Sequence, residues 1–125
     1  MFSKYTLNEK SNFGLIEVIC GSMFSGKTEE LIRRINIAKL AKFKTIVFKP
    51  SIDSRNKGNY ITSHDNNKLK ATSVIDENEI LNKAKKYHII GIYEAQFFSS
   101  YLVNVCNNLA NSGKRIIVAG LDMDF

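Results

Sequence analysis

Cysteine, proline and long apolar runs are all scarce in this chain, and each scarcity excludes a class of protein. Cys20 and Cys106 are the only cysteines, so one chain cannot build a disulfide framework or a four-thiolate zinc site. No apolar run approaches the roughly 20 residues that cross a bilayer, and the first residues lack the apolar segment of a signal peptide. We therefore expect a cytoplasmic protein with no membrane partner and with both cysteines as buried thiols.

The net charge of +6 gives little support for a nucleic-acid surface. The 18 basic residues are spread along the chain, and the densest cluster, KAKK at 83–86, is better explained by a solvated helix face. A chain of 125 residues with 44% hydrophobic content fits one domain around a single core. We therefore expect one domain over residues 1–125 and no nucleic-acid partner.

Apolar periodicity predicts that strands alternate with helices. We expect strands at 14–20, 44–49, near 71–75, 88–93 and 115–120, and helices at about 27–42, 77–87 and 99–112. Pro50, the only proline, is expected to end the second strand because it has no donor for the ladder. The polar stretch 51–70 has no clear period and is predicted to be a long loop that contacts a ligand. This alternation is typical of an α/β fold with a mostly parallel sheet and helices on both faces.

One motif carries a specific chemistry. Residues 21–28, GSMFSGKT, match GxxxxGK[ST] at every fixed position and lie between a predicted strand and a predicted helix. In such a loop the backbone amides wrap a phosphate, and the helix adds its positive end to the same anion. Lys27 is expected to reach the β and γ phosphates, and Thr28 to offer its hydroxyl to Mg²⁺.

This match predicts a P-loop and a fold like that of the P-loop nucleoside triphosphate hydrolases. A chance strand-turn-helix is the alternative, but it does not account for all the fixed positions together with the correct flanks. The predicted nucleotide-binding residues of the loop are Gly21, Ser22, Met23, Phe24, Ser25, Gly26, Lys27 and Thr28.

Four segments resemble thymidine kinases of the cytosolic, zinc-containing (type II) family. They are GSMFSGKTEELIRR at the P-loop, KPSIDSR with the later SHD, GIYEAQFF at 91–98 and AGLDMDF at 119–125. The resemblance implies ATP-dependent phosphorylation of thymidine to thymidine monophosphate in pyrimidine salvage, with Mg²⁺ as cofactor and a homotetrameric assembly. A P-loop ATPase subunit or a DNA-handling motor would not account for these segments together.

The resemblance also implies roles for individual residues. Glu94 corresponds to the base that takes the proton from the thymidine 5′-hydroxyl, and a carboxylate within hydrogen-bond reach can do so. Asp53 and Arg55 are implied to lie near the phosphates, although a solvated loop arginine is an equal alternative for Arg55. The nucleotide-binding residues implied here are Tyr93, Glu94, Ala95 and Gln96, and those implied to line the substrate site are Met23, Phe97, Leu121 and Phe125.

Two departures from the family pattern support a second hypothesis. The family has aspartate immediately before the base, where this chain has Tyr93. A phenol with an ordinary pKa of about 10 is neutral at pH 7 and replaces an anionic Mg²⁺ ligand poorly. The family also continues beyond the position of Phe125 into a zinc-binding region with paired cysteines and a loop that closes over thymidine. We therefore expect a truncated domain without zinc ligands, and the alternative function is a non-catalytic, nucleotide-binding remnant.

Overall fold

The strands and helices that the sequence predicts occur in the predicted order, accompanied by three further strands. The computed structural model describes residues 2–7, 14–22, 25–52 and 58–121, with residues 2–7 described by their backbone alone. The strands are β1 (Phe2–Leu7), β2 (Leu15–Gly21), β3 (Thr45–Pro50), β4 (Tyr60–Thr62), β5 (Lys68–Lys70), β6 (Thr72–Val74), β7 (Ile89–Ile92) and β8 (Arg115–Leu121). The helices are α1 (Lys27–Leu40), α2 (Glu77–Lys83) and α3 (Tyr101–Asn111), and a single 3-10 turn covers Ala95–Phe97.

The main sheet has six strands in the order β1-β2-β8-β7-β3-β6. β1 is antiparallel to β2, and the other neighbouring strands all pair in parallel. The predicted parallel arrangement of the segments 14–20, 44–49, 88–93 and 115–120 is therefore confirmed. The order places β8 and β7 at the centre of the sheet, where β-branched residues are buried on both sides.

Helices cover both faces of this sheet, as predicted for a P-loop-like α/β fold. On one face, here called the α1 face, the apolar stripe Leu31, Ile35 and Ala38 of α1 is buried against Ile19 of β2 and Ile117 of β8. On the opposite face, residues of α2 and α3 share a second apolar cluster with β-strand residues. No helix among the described residues has the length and apolarity needed to span a bilayer.

The prediction of a long loop over 51–70 is wrong for its second half. β4 and β5 form an antiparallel hairpin, with Tyr60 opposite Lys70 and Thr62 opposite Lys68. Each strand buries one apolar side chain on the α1 face, Ile61 and Leu69 respectively. Strands of three residues with one apolar position each do not produce a detectable period, which is why the sequence did not indicate them.

Two further boundaries differ from the prediction. β1 was not predicted. It pairs with β2 along its whole length, from Phe2 opposite Cys20 to Leu7 opposite Leu15. Helix α2 ends at Lys83 rather than near residue 87. Ala84 is its C-cap, and the N–H of Ala84 donates the last helical hydrogen bond, to the carbonyl oxygen of Ile80. Pro50 is the last residue of β3, as expected, since a final position needs no further ladder donor.

A partly buried ion-pair network joins α1 to β2 and β8. Glu17 on β2 is only 6% exposed and accepts hydrogen bonds from Arg115 on β8 and from Arg34 on α1, the latter at 2.7 Å. Arg34 Nε also donates to Glu30 Oε2 at 2.6 Å, and Arg33 holds the same carboxylate with two bonds. A buried carboxylate needs such partners, so these contacts fix the orientation of α1, the helix that follows the P-loop.

We predict an acid-sensitive contribution of Glu30 to stability. Hydrogen bonds from Arg33, with a further bond from Arg34, lower the pKa of Glu30 from 4.5 to about 2, although partial burial opposes the shift. Because the folded-state pKa lies below that of the unfolded chain, ionised Glu30 stabilises the fold above pH 4.5, and this stabilisation is lost as the pH falls towards 2.

Glu30→Gln should therefore lower the melting temperature at pH 7 and flatten its decline between pH 4.5 and 2. Asp65→Asn is the matched control, since Asp65 lies exposed at the hairpin turn. A Glu30→Gln variant with the same acid profile as the parent chain, measured by thermal unfolding, would contradict the prediction.

Candidate active site

The carboxyl ends of four parallel strands meet at one edge of the sheet. The registers place Gly21 beside Leu121 and Phe48 beside Ile92, so the segments that follow β2, β8, β3 and β7 all leave from this edge. In open parallel sheets ligands bind at this edge, beyond the carboxyl ends of the strands. The predicted P-loop and the predicted base therefore lie at the same edge.

The P-loop connects β2 to α1 as the motif predicts. Gly26 has φ of 89°, a left-handed conformation that favours glycine, and α1 begins at the next residue. Lys27 is 8% exposed, and its Nζ donates to the carbonyl oxygen of Ser22 at 2.7 Å. The ammonium group is therefore turned back over the loop, where it can exchange this carbonyl for a phosphate oxygen. Thr28 lies half-buried in the first turn of α1.

A buried hydroxyl also faces this loop. Ser25 Oγ is buried and has no hydrogen-bond partner among the described residues. It lies 2.8 Å from the point that a Cβ atom on Gly21 would occupy, so the loop closes tightly only with glycine at position 21. An unsatisfied buried hydroxyl is destabilising by about 1–3 kcal/mol, and a bound anion can accept its proton. Ser25 therefore fits the role of a phosphate ligand.

Glu94 is held in a strained and buried position directly after β7. Its backbone adopts the left-handed conformation, with φ of 54° and ψ of 50°, and the residue is only 6% exposed. A left-handed conformation at a residue other than glycine costs roughly 1–2 kcal/mol, so the surrounding contacts must hold it in place. This turn directs the chain from the strand into the 3-10 turn and fixes where the carboxylate lies.

Gln96 contacts the Glu94 carboxylate. Its Nε2 donates to Glu94 Oε2 at 3.0 Å, and its Oε1 accepts from the backbone N–H of Leu121 at 3.1 Å. One amide side chain thus connects the predicted base to the last residue of β8. The family resemblance led us to expect Gln96 in the wall of the site, but it gave no indication of this bridging contact.

Tyr93, where the family pattern has aspartate, is buried in the apolar cluster of the α1 face. It is 4% exposed, and its backbone N–H donates to the carbonyl oxygen of Phe48 at 2.8 Å. Among the described residues, Glu94 is therefore the only buried carboxylate near this edge, because Glu17 lies towards the opposite ends of the strands.

Lys49 is a residue of this edge that the sequence analysis missed. It is the penultimate residue of β3, is 2% exposed, and its Nζ donates to the carbonyl oxygen of Tyr60 at 3.1 Å. Alternation along β3 could have indicated it, since Val47 faces α1 and a residue two positions later faces the same way. A lysine at a position that alternation predicts to be buried is itself the signal.

The other predicted site residues are distributed unevenly. Ala95, the first residue of the 3-10 turn, is buried, and Phe97, the last, is 48% exposed. Leu121 is half-buried and Ser22 is exposed. The predicted residues that lie outside the described part of the chain are Met23, Phe24, Asp53, Arg55 and Phe125.

Neither cysteine belongs to a group of three or more potential metal ligands among the described residues. Cys106 on α3 is fully buried, and burial raises the pKa of its thiol to about 12, which disfavours the thiolate that binds zinc. Cys20 on β2 is partly buried against the same apolar cluster. The described residues contain no group of three or more His, Cys, Asp or Glu arranged to hold a metal ion.

We predict that the strain at Glu94 is measurable as a stability difference between two variants. Both Glu94→Ala and Glu94→Gly remove the carboxylate and its bond to Gln96, but only glycine adopts φ of 54° without cost. The free energy of unfolding of Glu94→Gly should therefore be about 1 kcal/mol higher than that of Glu94→Ala. Urea denaturation checks this, and equal stability of the two variants would refute the strain.

Comparison with known proteins identifies the family of the chain. The family model described as Thymidine kinase matches residues 14–125. The chain is 51% identical to a thymidine kinase of Bacteroides fragilis over all 125 residues, which is 63% of that protein. It is 52% identical to a thymidine kinase of Rhodothermus sp. over 119 residues, 95% of this chain and 56% of that protein. The chain thus spans about three fifths of the length of these relatives, and it belongs to the thymidine kinase family.

Proposed function

We propose that this chain takes part in the ATP-dependent phosphorylation of thymidine to thymidine monophosphate, with Glu94 as the base. The observation that carries the proposal is a buried carboxylate, held by a strained turn and by Gln96, at the same sheet edge as a P-loop. Curated relatives about half identical to the chain are named thymidine kinases, which supports the choice of substrate. The proposal includes a cytosolic role in pyrimidine salvage, which supplies DNA synthesis.

The phosphoryl donor is held by the loop and by the start of α1. The P-loop amides, the Ser25 hydroxyl and the positive end of α1 bind the β and γ phosphates of ATP. Lys27 releases the Ser22 carbonyl and donates to a phosphate oxygen, which stabilises the charge that develops as the bond to the leaving ADP breaks. Asp53 and Arg55 are proposed to lie near these phosphates.

The acceptor is activated at Glu94. Its carboxylate takes the proton of the thymidine 5′-hydroxyl while that oxygen forms a bond to the γ phosphorus and the bond to the bridging oxygen of ADP breaks. Gln96 keeps the carboxylate aimed at the acceptor, because its other end is anchored on the backbone of Leu121. The thymine is proposed to lie near Phe97, Leu121, Met23 and Phe125.

The family implies Mg²⁺, and the described residues fit this ion poorly. Thr28 offers a hydroxyl and stays a candidate ligand, but Mg²⁺ prefers anionic oxygens, and position 93 supplies a phenol buried among apolar side chains. The roles proposed for Lys27 and Glu94 therefore do not depend on this ion. The family resemblance also implies zinc and a homotetrameric assembly, and both stay expectations.

Tyr93 also favours a second candidate function, a nucleotide-binding protein without kinase activity. The P-loop geometry supports nucleotide binding in both cases, whereas phosphoryl transfer needs the charge at the γ phosphate to be offset. A thymidine phosphorylation assay separates the two. Turnover that Glu94→Gln abolishes would favour the kinase, and nucleotide binding without turnover would favour the second function.

We predict that Lys27→Ala weakens ATP binding by at least about tenfold, because it removes a charge-assisted hydrogen bond to the phosphates. The matched control is Lys39→Ala, which removes an exposed lysine from the last turn of the same helix. Isothermal titration calorimetry measures both variants. Equal affinity of the Lys27→Ala variant and the parent chain would exclude the loop as the phosphate site.

We predict that Gln96→Glu shifts the pH dependence of thymidine phosphorylation. The variant keeps an acceptor for the N–H of Leu121 but replaces the donor to Glu94 with a second carboxylate. A like charge disfavours ionisation, so the pKa of Glu94 should rise and the acidic limb of kcat/KM should move to higher pH.

Gln96→Met is the comparison, because it removes both hydrogen bonds without adding charge. It should lower kcat by about 10- to 100-fold through misplacement of the base, with little change in the KM for ATP. If Gln96→Glu leaves the acidic limb where it is in the parent chain, Gln96 does not act through Glu94.

A further inference from the structure

A small pocket opens beside the first half of β3, away from the P-loop. Its volume is about 160 Å³, and Ile35 of α1 lines it together with Ile46 and Val47 of β3. Lys39, one turn after Ile35, lines the same pocket. A helix rises about 1.5 Å per residue, so α1 separates Lys39 from Lys27 of the P-loop by about 18 Å. The pocket is therefore distinct from the proposed nucleotide site.

The pocket lies where β6 stops short of β3. β6 pairs with β3 only from Phe48, which lies opposite Thr72, so the first residues of β3 have a neighbouring strand on the β7 side alone. The carbonyl oxygen of Lys44 accepts a hydrogen bond from His88, which leads into β7. The backbone groups of successive strand residues point to opposite sides, so those of Thr45 face the open side. Thr45 also lines the pocket.

The polar side chains that line the pocket carry donors that no other described residue uses. Thr45, Thr72 and Tyr87 contribute half-buried hydroxyls, and Lys39 and Lys70 contribute exposed ammonium groups. None of these five side chains makes a hydrogen bond or ion pair within the described part of the chain. No carboxylate among the described residues lines the pocket. The site therefore combines two positive charges with hydroxyl donors that have no partner.

This set of donors fits the oxygens of a phosphate group. Ammonium and hydroxyl groups both donate to anionic oxygens, and two lysines without a carboxylate attract an anion and repel a metal cation. Sites for drug-sized ligands measure about 300–1,000 Å³, so a pocket of about 160 Å³ suits a smaller molecule than a nucleoside triphosphate. The apolar floor of Ile35, Ile46 and Val47 can contact the carbon atoms of a small ester.

We propose that this pocket is a second anion site, which binds a small phosphate-bearing molecule at the open side of β3. The ligand is inorganic phosphate or a phosphate monoester of about the size of a pentose phosphate. Lys39 and Lys70 supply the positive charge, and the hydroxyls of Thr45, Thr72 and Tyr87 orient the phosphate oxygens. The site depends neither on the P-loop nor on the proposed kinase function.

Amide NMR spectra recorded during titration test the proposal, with sodium phosphate and ribose 5-phosphate as probes and ribose as the uncharged comparison. Both phosphates should shift the amide resonances of Thr45 and Thr72 to saturation, with a dissociation constant of about 1–10 mM, whereas ribose should not. Tighter binding of ribose 5-phosphate identifies an ester as the ligand, and equal binding identifies inorganic phosphate. Either result supports the site.

Variants connect the binding to the lysines. Lys39→Met and Lys70→Met should each raise the dissociation constant about fivefold, because each removes one positive charge next to the anion. Lys83→Met is the matched control, since it removes an exposed lysine of α2, on the opposite face of the sheet. Lys27→Ala should also keep the affinity of the parent chain for this pocket. Circular dichroism confirms that each variant is folded.

Two outcomes would overturn the second site. One is the absence of saturable shifts at Thr45 and Thr72 with either phosphate, or equal dissociation constants for the Lys39→Met and Lys83→Met variants. The other is loss of the Thr45 shifts in the Lys27→Ala variant, because the anion would then bind at the P-loop alone. Neither outcome bears on the proposed kinase function, which is tested by ATP binding and thymidine phosphorylation.

Discussion

The parallel pairing of β2 with β8 is the constraint on which the rest of the site depends. Seven residues of each strand pair in register, from Leu15 with Arg115 to Gly21 with Leu121. At one end of this pair, Glu17 ties the two strands to α1 through Arg34 and Arg115. At the other end, the same register sets the P-loop beside the last residue of β8. A slip along this pairing would displace phosphate binding and base placement together.

The proposed base is positioned by the sheet, although it lies outside any strand. Leu121 N–H binds the Gln96 amide, and the other end of that amide binds the Glu94 carboxylate, so β8 orients a residue that follows β7. This contact compensates for the left-handed backbone of Glu94, which a short loop would not hold alone. Phosphate and base therefore depend on neighbouring strands of one rigid element, and rigid placement is what proton removal and phosphoryl transfer require.

The sequence predicted the parts of this arrangement that rest on strong local patterns. Apolar β-branched runs indicated the central strands, and the spacing of fixed residues indicated the P-loop. The left-handed turn at Glu94 was not predictable, because no glycine or asparagine marks it and because Gln96, which contacts the carboxylate, is itself held by the distant Leu121. The hairpin was missed for a related reason, since Ile61 and Leu69 are buried in an apolar cluster whose other members are distant in sequence. Lys49 was overlooked although alternation along β3 places it on the same face as the buried Val47.

At position 93 the fold and the chemistry of a metal site require different side chains. The fold accepts tyrosine there, because the residue is buried in the apolar cluster of the α1 face and adds apolar area to it. An ion site would require an anionic oxygen at the same place, and burial of that anion would need compensation from Lys49 or from the metal. Stability and metal binding therefore favour different residues at this position. The burial of Tyr93 in the apolar cluster of the α1 face satisfies the first requirement and leaves the second to other residues.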